Sequence, residues 1–290
     1  MTMKQCFLLL LSLLVLSGAV GAASEPAGES AVPEAAMTLL SINVRKGDAH
    51  LLRCGDAAYL IDTGKKKNYD DLYAALKESG VDRLTGVILT HVHSDHTGGL
   101  KQLLQSDITV ENVYASASYA LAKEDKTHPV LKALKGTGRE PVWLSAGDTL
   151  PFGGGTLEVL GPLETVNDPD NENSNSLVLL ASGGGGSTLL TGDMEFPEEA
   201  SLLNAGLIPH ADVLKIANHG EGDATSEQLI AAVSPQLAVI STNTEDEPDT
   251  PDPRVIKLLN RYRIPVLQTQ DAGTGVLITL RGGEIFWEMQ

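Results

Sequence analysis

From Met37 onward, short apolar runs alternate with polar punctuation, and two periodicities take turns along the chain. Fully apolar or period-two runs at Thr38–Val44, Ala57–Ile61, Leu84–Leu89, Thr156–Leu160, Leu177–Leu180 and Thr188–Leu190 predict strands. Further runs at Val213–Ile216, Leu237–Ile240, Val266–Thr269, Gly275–Leu280 and Glu284–Trp287 extend the series. Helical spacing predicts helices at Tyr69–Ser79, Gly99–Gln105, Pro197–Asn204, Ser226–Val233 and Pro253–Arg261. Early strands follow one another as hairpins, whereas later ones alternate with helices. That mixture predicts an α/β fold of the αββα type, two mixed sheets with helices on their outer faces. Gly153–Gly155 and Gly183–Gly186 each join two strand-like runs and lack the Lys-Ser/Thr of a phosphate loop. Both read as hairpin turns.

The segment before this pattern has a different grammar. Residues 1–23 carry Lys4, an apolar stretch from Phe7 to Leu16 and a small-residue run from Gly18 to Ala23, as a secretory signal peptide does. The apolar stretch is shorter than a membrane span. Residues 24–36 form a linker of Pro, Glu, Ser and Ala, and residues 37–290 the expected domain. The expectation is an exported, extracytoplasmic bacterial protein without a membrane span after cleavage. Cys6 would leave with the signal, and Cys54 reads as a small buried hydrophobe. With 21 Lys and Arg against 38 Asp and Glu, the formal charge is −17. Such a chain has no general positive field with which to coat nucleic acid or anionic lipid, so a scaffold role on nucleic acid is not expected. A phosphate held locally by metal ions remains compatible with it.

Chemistry concentrates in Gly86-Val-Ile-Leu-Thr-His91-Val-His93-Ser-Asp95-His96-Thr-Gly-Gly99. An apolar strand ends in histidines at i and i+2, which a continued strand would point to one face. A loop then delivers Asp95 and His96, and Thr97-Gly98-Gly99 leads into a helix. Imidazole and carboxylate at this density suit zinc or a similar divalent ion.

His91-x-His93-x-Asp95-His96 followed by Gly-Gly resembles the signature of the metallo-β-lactamase superfamily. Tyr59-Leu-Ile-Asp62-Thr-Gly64, Leu189-Leu-Thr-Gly192-Asp193 and Asn218-His219-Gly220 resemble further segments of that family, in the same order. The run Asp212-Val-Leu-Lys-Ile-Ala-Asn-His219-Gly, with Ser234-Pro and Val239-Ile-Ser241, is most similar to the branch found as the C-terminal domain of the competence protein ComEC. The resemblance implies two divalent ions, zinc first and manganese as the alternative. It gives His91 and His93 to the first ion, Asp95, His96 and His219 to the second, and Asp193 to both. Asp95 and Asp193 are thereby the candidate catalytic carboxylates, around a metal-bound hydroxide. Asp62 would accept an imidazole N–H and fix its tautomer.

The chain departs from that pattern in three places. No histidine lies between His128 and Asp193, where a third imidazole for the first ion is usual; the stretch reads Asn171-Glu-Asn-Ser-Asn175-Ser176. Ser174 or Asn175 would place a weak ligand or a water there. Asn218-His219-Gly220-Glu221 replaces a His-His-Gly-Ser, and Asp252-Pro253 replaces a His-Pro, which removes polar groups near a phosphate and adds negative charge. The branch implies hydrolysis of a phosphodiester, small or nucleic-acid. The alternatives are an amide, lactone or thioester substrate, or a metal-binding protein weakened in turnover. Lys65-Lys66-Lys67 is the one basic run near the expected mouth. His50, His128 and His210 read as structural or exposed, and Glu198 and Glu199 as partners of a helix dipole.

Overall fold

Neighbouring residues of nearly every strand belong to different cores, and this alternation builds the layers. The computed structural model describes residues 35–120, 128–164 and 169–290. The expected signal peptide, and the expected linker up to residue 34, lie outside them. Among the described residues, one sheet holds β1 (Met37–Ile42), β2 (His50–Cys54), β3 (Ala57–Ile61), β4 (Arg83–Leu89), β5 (Thr109–Ser116) and β6 (Val142–Leu144). The second holds β7 (Thr149–Phe152), β8 (Gly155–Gly161), β9 (Val178–Gly183), β10 (Gly186–Leu190), β11 (Val213–Lys215), β12 (Leu237–Ile240) and β13 (Val266–Gln268). The chain then returns to the first sheet with β14 (Gly275–Arg281) and β15 (Glu284–Met289), giving the orders β15-β14-β1-β2-β3-β4-β5-β6 and β13-β12-β11-β10-β9-β8-β7.

Tyr59 and Ile61 of β3, Ile88 of β4, Leu190 of β10, Val213 of β11 and Val239 of β12 meet in the core between the sheets. Their neighbours Leu60, Val87 and Leu89 pack outward with Leu72 and Leu76 of the helix Tyr69–Glu78. On the opposite side Leu189, Leu214 and Ile240 pack with Leu202, Ile230 and Leu259 of three later helices. This is the expected helix–sheet–sheet–helix sandwich. Period-two alternation alone divides the side chains between layers.

Local signals explain most element ends. The helix Glu227–Val233 starts where Ser226 Oγ accepts the Leu229 N–H at 3.1 Å, and Pro253–Arg261 where Asp252 accepts the Arg254 N–H at 2.6 Å. Gly184 and Gly185 take φ of 64° and 78°, which a two-residue hairpin between β9 and β10 requires. The helix expected over Gly99–Gln105 shrinks to Leu100–Leu103, preceded by a separate turn at Ser94–Thr97. Gly99 lies so close to the Thr63 carbonyl that a Cβ would overlap it. β5 escapes the pattern because Glu111 and Asn112 interrupt its apolar run; Arg83 pairs with Glu111, and Asn112 Nδ2 donates to Thr85 O at 3.2 Å. No helix among the described residues is long and apolar enough to cross a membrane.

Glu198 and Glu199 do more than face a helix dipole. Both are buried in the first turn of the helix Phe196–Asn204. Glu199 accepts the Ser226 N–H at 3.1 Å, and Glu198 accepts the Leu163 N–H at 3.0 Å. Burial pushes the Glu198 carboxyl up from its ordinary value of 4.5 to about 7. The folded protein thus keeps a proton that the unfolded chain has released, so Glu198 costs stability progressively as pH rises from the unfolded value through about 7. Glu198→Gln keeps the acceptor without the charge. Denaturation should find it about 1–3 kcal/mol more stable than wild type at alkaline pH, with the gap closing in acid. Equal gaps at both pH values would contradict this.

Candidate metal centre

The carboxyl ends of parallel strands from both sheets converge on one edge of the sandwich. β3 runs parallel to β4, and β10, β11 and β12 run parallel to one another. Asp62 follows β3, His91 to His96 follow β4, Asp193 follows β10 and His219 follows β11. β4 ends at Leu89, so His91 and His93 sit in a bend and not on the strand. Turn geometry, rather than strand alternation, sets their rings edge-on at 4.7 Å.

Three imidazoles are then aimed by their Nδ1 atoms. Asp62 accepts from Thr90 N at 2.8 Å and from Thr90 Oγ1 at 2.7 Å, and faces His96 Nδ1 at 2.7 Å. A carboxylate only accepts, so His96 Nδ1 carries a proton. Thr90 Oγ1, having donated to Asp62, receives the His91 Nδ1–H at 3.1 Å. His219 Nδ1 donates to Ser241 O at 2.9 Å. Asn218 and His219 hold φ of 46° and 54°, a left-handed conformation that costs non-glycine residues about 1 kcal/mol or more each. The Asn218 N–H bonded to Gly192 O at 3.2 Å helps hold that turn in place.

With Nδ1 engaged, every Nε2 turns toward Asp193. Its Oδ2 lies 2.9 Å from His96, 3.4 Å from His219 and 3.8 Å from His91. Separations of 3.4–3.8 Å between buried N and O atoms are long for hydrogen bonds but suit two ligands of one tetrahedral ion. His91 Nε2, His219 Nε2 and Asp193 Oδ1 are buried without a hydrogen-bond partner. Such orphaned atoms are costly unless a cation occupies the space between them. The residues fit a divalent ion.

Electrostatics point the same way. Burial opposes ionisation of Asp193, but His96 and His219 outweigh it and hold the carboxyl well below its usual range. Burial likewise opposes charge on His96, yet Asp193 and Asp62 on its two sides raise it well above the ordinary histidine value. His219 is raised against burial chiefly by Asp193, whereas burial and the neighbouring His96 push His91 far down. Protons on His96 and His219 therefore compete with any ion at Nε2.

The expected residues differ in depth. His91, His96, Asp193 and His219 are buried together; Asp95, half-buried at the mouth with Oδ2 3.9 Å from His219 Nε2, has a ligand atom within 4.8 Å of those of His96 and His219, so these three could share one ion. His93, with a side chain 39% exposed, points its Nε2 to Glu172 Oε2 at 3.3 Å. Ser174 and Asn175 are buried nearby on the segment that ties Leu177 N to Thr90 O at 2.9 Å. Asn218 Nδ2 donates to Asp223 at 3.2 Å. His50 bonds Ser41, His128 packs edge-on against Trp143, and His210 is exposed.

Three residues escape sequence reasoning. Lys215, buried on the inter-sheet side of β11, pairs with Asp48, donates to Gly192 O at 2.9 Å and reaches Asp193 Oδ1 at 3.6 Å. Asp48, also buried, stands 3.6 Å from His219 Nδ1. Against burial, Lys215 holds Asp48 well below its usual range. A lysine inside the apolar run Val213–Ile216 was a readable signal; Gly47-Asp48 reads only as a turn. Glu172, beside His93, lies in the stretch where a third ligand to the first ion is usual, and a carboxylate there was a readable signal.

The model of the metallo-β-lactamase superfamily matches residues 42–242. The chain belongs to that superfamily. It is 32% identical over 231 residues to ComE operon protein 3 of Bacillus subtilis, across 74% of this chain and 29% of that protein. That similarity agrees with the ComEC-like branch. A ribonuclease of Thermus thermophilus is 29% identical over 174 residues, 58% of this chain and 39% of that protein. The chain thus spans well under half the length of either relative. Among solved structures, the metallo-β-lactamase fold protein YhfI of Bacillus subtilis superposes with a TM-score of 0.54 at 16% identity. That match covers 84% of this chain and 99% of the other, and it shows the shared fold.

Asp62→Asn would present an amide N–H to His96 Nδ1 and disfavour the tautomer that frees Nε2. Zinc or manganese affinity, measured by competition with a chelating dye, should fall about 10–100-fold. Unchanged affinity would remove Asp62 from this role.

Proposed function

We propose that the chain is a divalent-metal-dependent hydrolase of phosphodiesters, acting outside the cytoplasm. The observation that carries this reading is the buried Asp193 carboxylate facing three Nε2 atoms whose Nδ1 positions are already engaged. His91, Asp95, His96, His219 and Asp193 would hold two ions, zinc or manganese, with Asp95 on the mouth side of the second. His93 and Glu172 would complete the more open side. When bound, such ions would polarise a phosphoryl oxygen and make a water easier to ionise.

The chain's own residues do the rest. Asp62, Thr90 and the Ser241 carbonyl fix tautomers, so the imidazole lone pairs are in place before substrate arrives. Lys215 balances part of the buried negative charge. Asp95, with a side chain 19% exposed, is the carboxylate placed to move a proton between water and the leaving oxygen. Similarity to a ribonuclease supports a diester over an amide or lactone. Export rests on the signal-like residues 1–23, which N-terminal sequencing of secreted protein would test.

Metal-loaded protein should hydrolyse bis-p-nitrophenyl phosphate and leave nitrocefin intact. Asp193→Ala should remain folded by circular dichroism yet lose more than the roughly 100-fold that removing a supporting residue costs. Full activity in that variant, or hydrolysis of nitrocefin alone, would contradict the reading.

A further inference from the structure

A second feature adjoins the centre without belonging to it. Val92 and Ser94 alternate with His91, His93 and Asp95, and they line a groove of about 710 Å³. Lys66, Lys101 and Lys132 line the same groove, together with Gln102. The lysines come from three separate elements: the turn Lys66–Asn68, the helix Leu100–Leu103 and the helix Pro129–Leu134. All three are exposed, and among the described residues none pairs with a carboxylate. Two other lysines near the mouth do pair with carboxylates: Lys46 with Glu221 and Glu247, and Lys67 with Asp246 at 4.0 Å. In a chain of charge −17, three lysines without a carboxylate partner among the described residues share one groove with the ligand-loop residues Val92, Ser94, Thr97 and Gly98, a local exception to a repulsive field.

We infer that this groove binds the phosphates flanking the scissile one in a single polynucleotide strand, so that polymers are the preferred substrate. The inference rests on the phosphodiesterase reading. It adds that recognition follows the backbone and not a base, because ammonium groups meet phosphates as point charges and none of the described residues lining the groove is aromatic. Gln102 Nε2 donates to Lys66 O at 3.4 Å and ties two of the groove's elements together.

The test measures binding of a labelled single-stranded oligothymidylate to EDTA-treated protein across a salt series, so it does not depend on turnover. Wild type should bind with affinity that falls as salt rises. Replacing Lys66, Lys101 and Lys132 together by Ser should flatten the log–log salt slope by about 2, at roughly 0.7 per lost phosphate contact. Replacing Lys257, Arg261 and Arg281 by Ser, an equal change of charge elsewhere, should leave most of the slope. The lysine variant should still hydrolyse bis-p-nitrophenyl phosphate at the wild-type rate while losing its preference for the longer strand. A lysine variant with the wild-type slope, or a wild type without any slope, overturns the groove. Diester hydrolysis that persists beside either result leaves the phosphodiesterase reading standing. Salt-dependent binding without any diester hydrolysis sinks that reading instead.

Discussion

Three carboxylates, Asp48, Asp62 and Asp193, are buried around a single imidazole, His96. Ions removed from water cost several kcal/mol apiece unless opposite charge meets them at close range. Lys215 is a permanent cation in this pocket, and its ion pairs among the described residues are with Asp48 and Asp193. The remaining charge must be met by protons on His96 and His219 or by a metal ion among the Nε2 atoms. Both solutions use the same lone pairs. The loops are therefore built to hold a site that is uncomfortable when empty, and the rest of the architecture serves that constraint.

The sandwich supplies the platform because its parallel strands end together. Asp62, the histidine bend, Asp193 and His219 arrive from four strand ends of two sheets, each a step beyond a fully buried residue. Backbone ties lock the ends to one another: Asp48 N to Asp95 O at 3.1 Å, Thr63 N to His96 O at 2.6 Å, and Leu177 N to Thr90 O at 2.9 Å. A shift of one loop would be felt by the others. This explains why Gly99, which allows close approach to Thr63, sits directly behind the ligand loop.

Much of this was legible before any coordinates, and the exceptions have physical causes. The αββα layers follow from alternation that survives in almost every strand, and the histidine cluster is visible because its members are close in sequence. Asp193 and His219 were readable through resemblance, since a Gly-Asp pair or a lone histidine carries no metal signature by itself. Asp48 was invisible because its role depends on Lys215, far away in sequence, folding against it. Lys215 was visible in principle, as one charge inside an apolar parallel strand, but short strands tolerate lysine at their ends. Glu198 and Glu199 looked like surface partners of a helix dipole, and burial against Leu163 and Ser226 made them tethers. His93 stands beside His91 as its place in the sequence suggests, the rings 4.7 Å apart, while Glu172, which its Nε2 faces, comes from far along the chain.

Anomalous X-ray diffraction from crystals grown with zinc or manganese tests the central claim most directly. The account predicts anomalous density between His91, His96, Asp193 and His219, within bonding distance of their Nε2 and carboxylate oxygen atoms. Ions bound only elsewhere, with these four side chains contacting just one another and water, would contradict it.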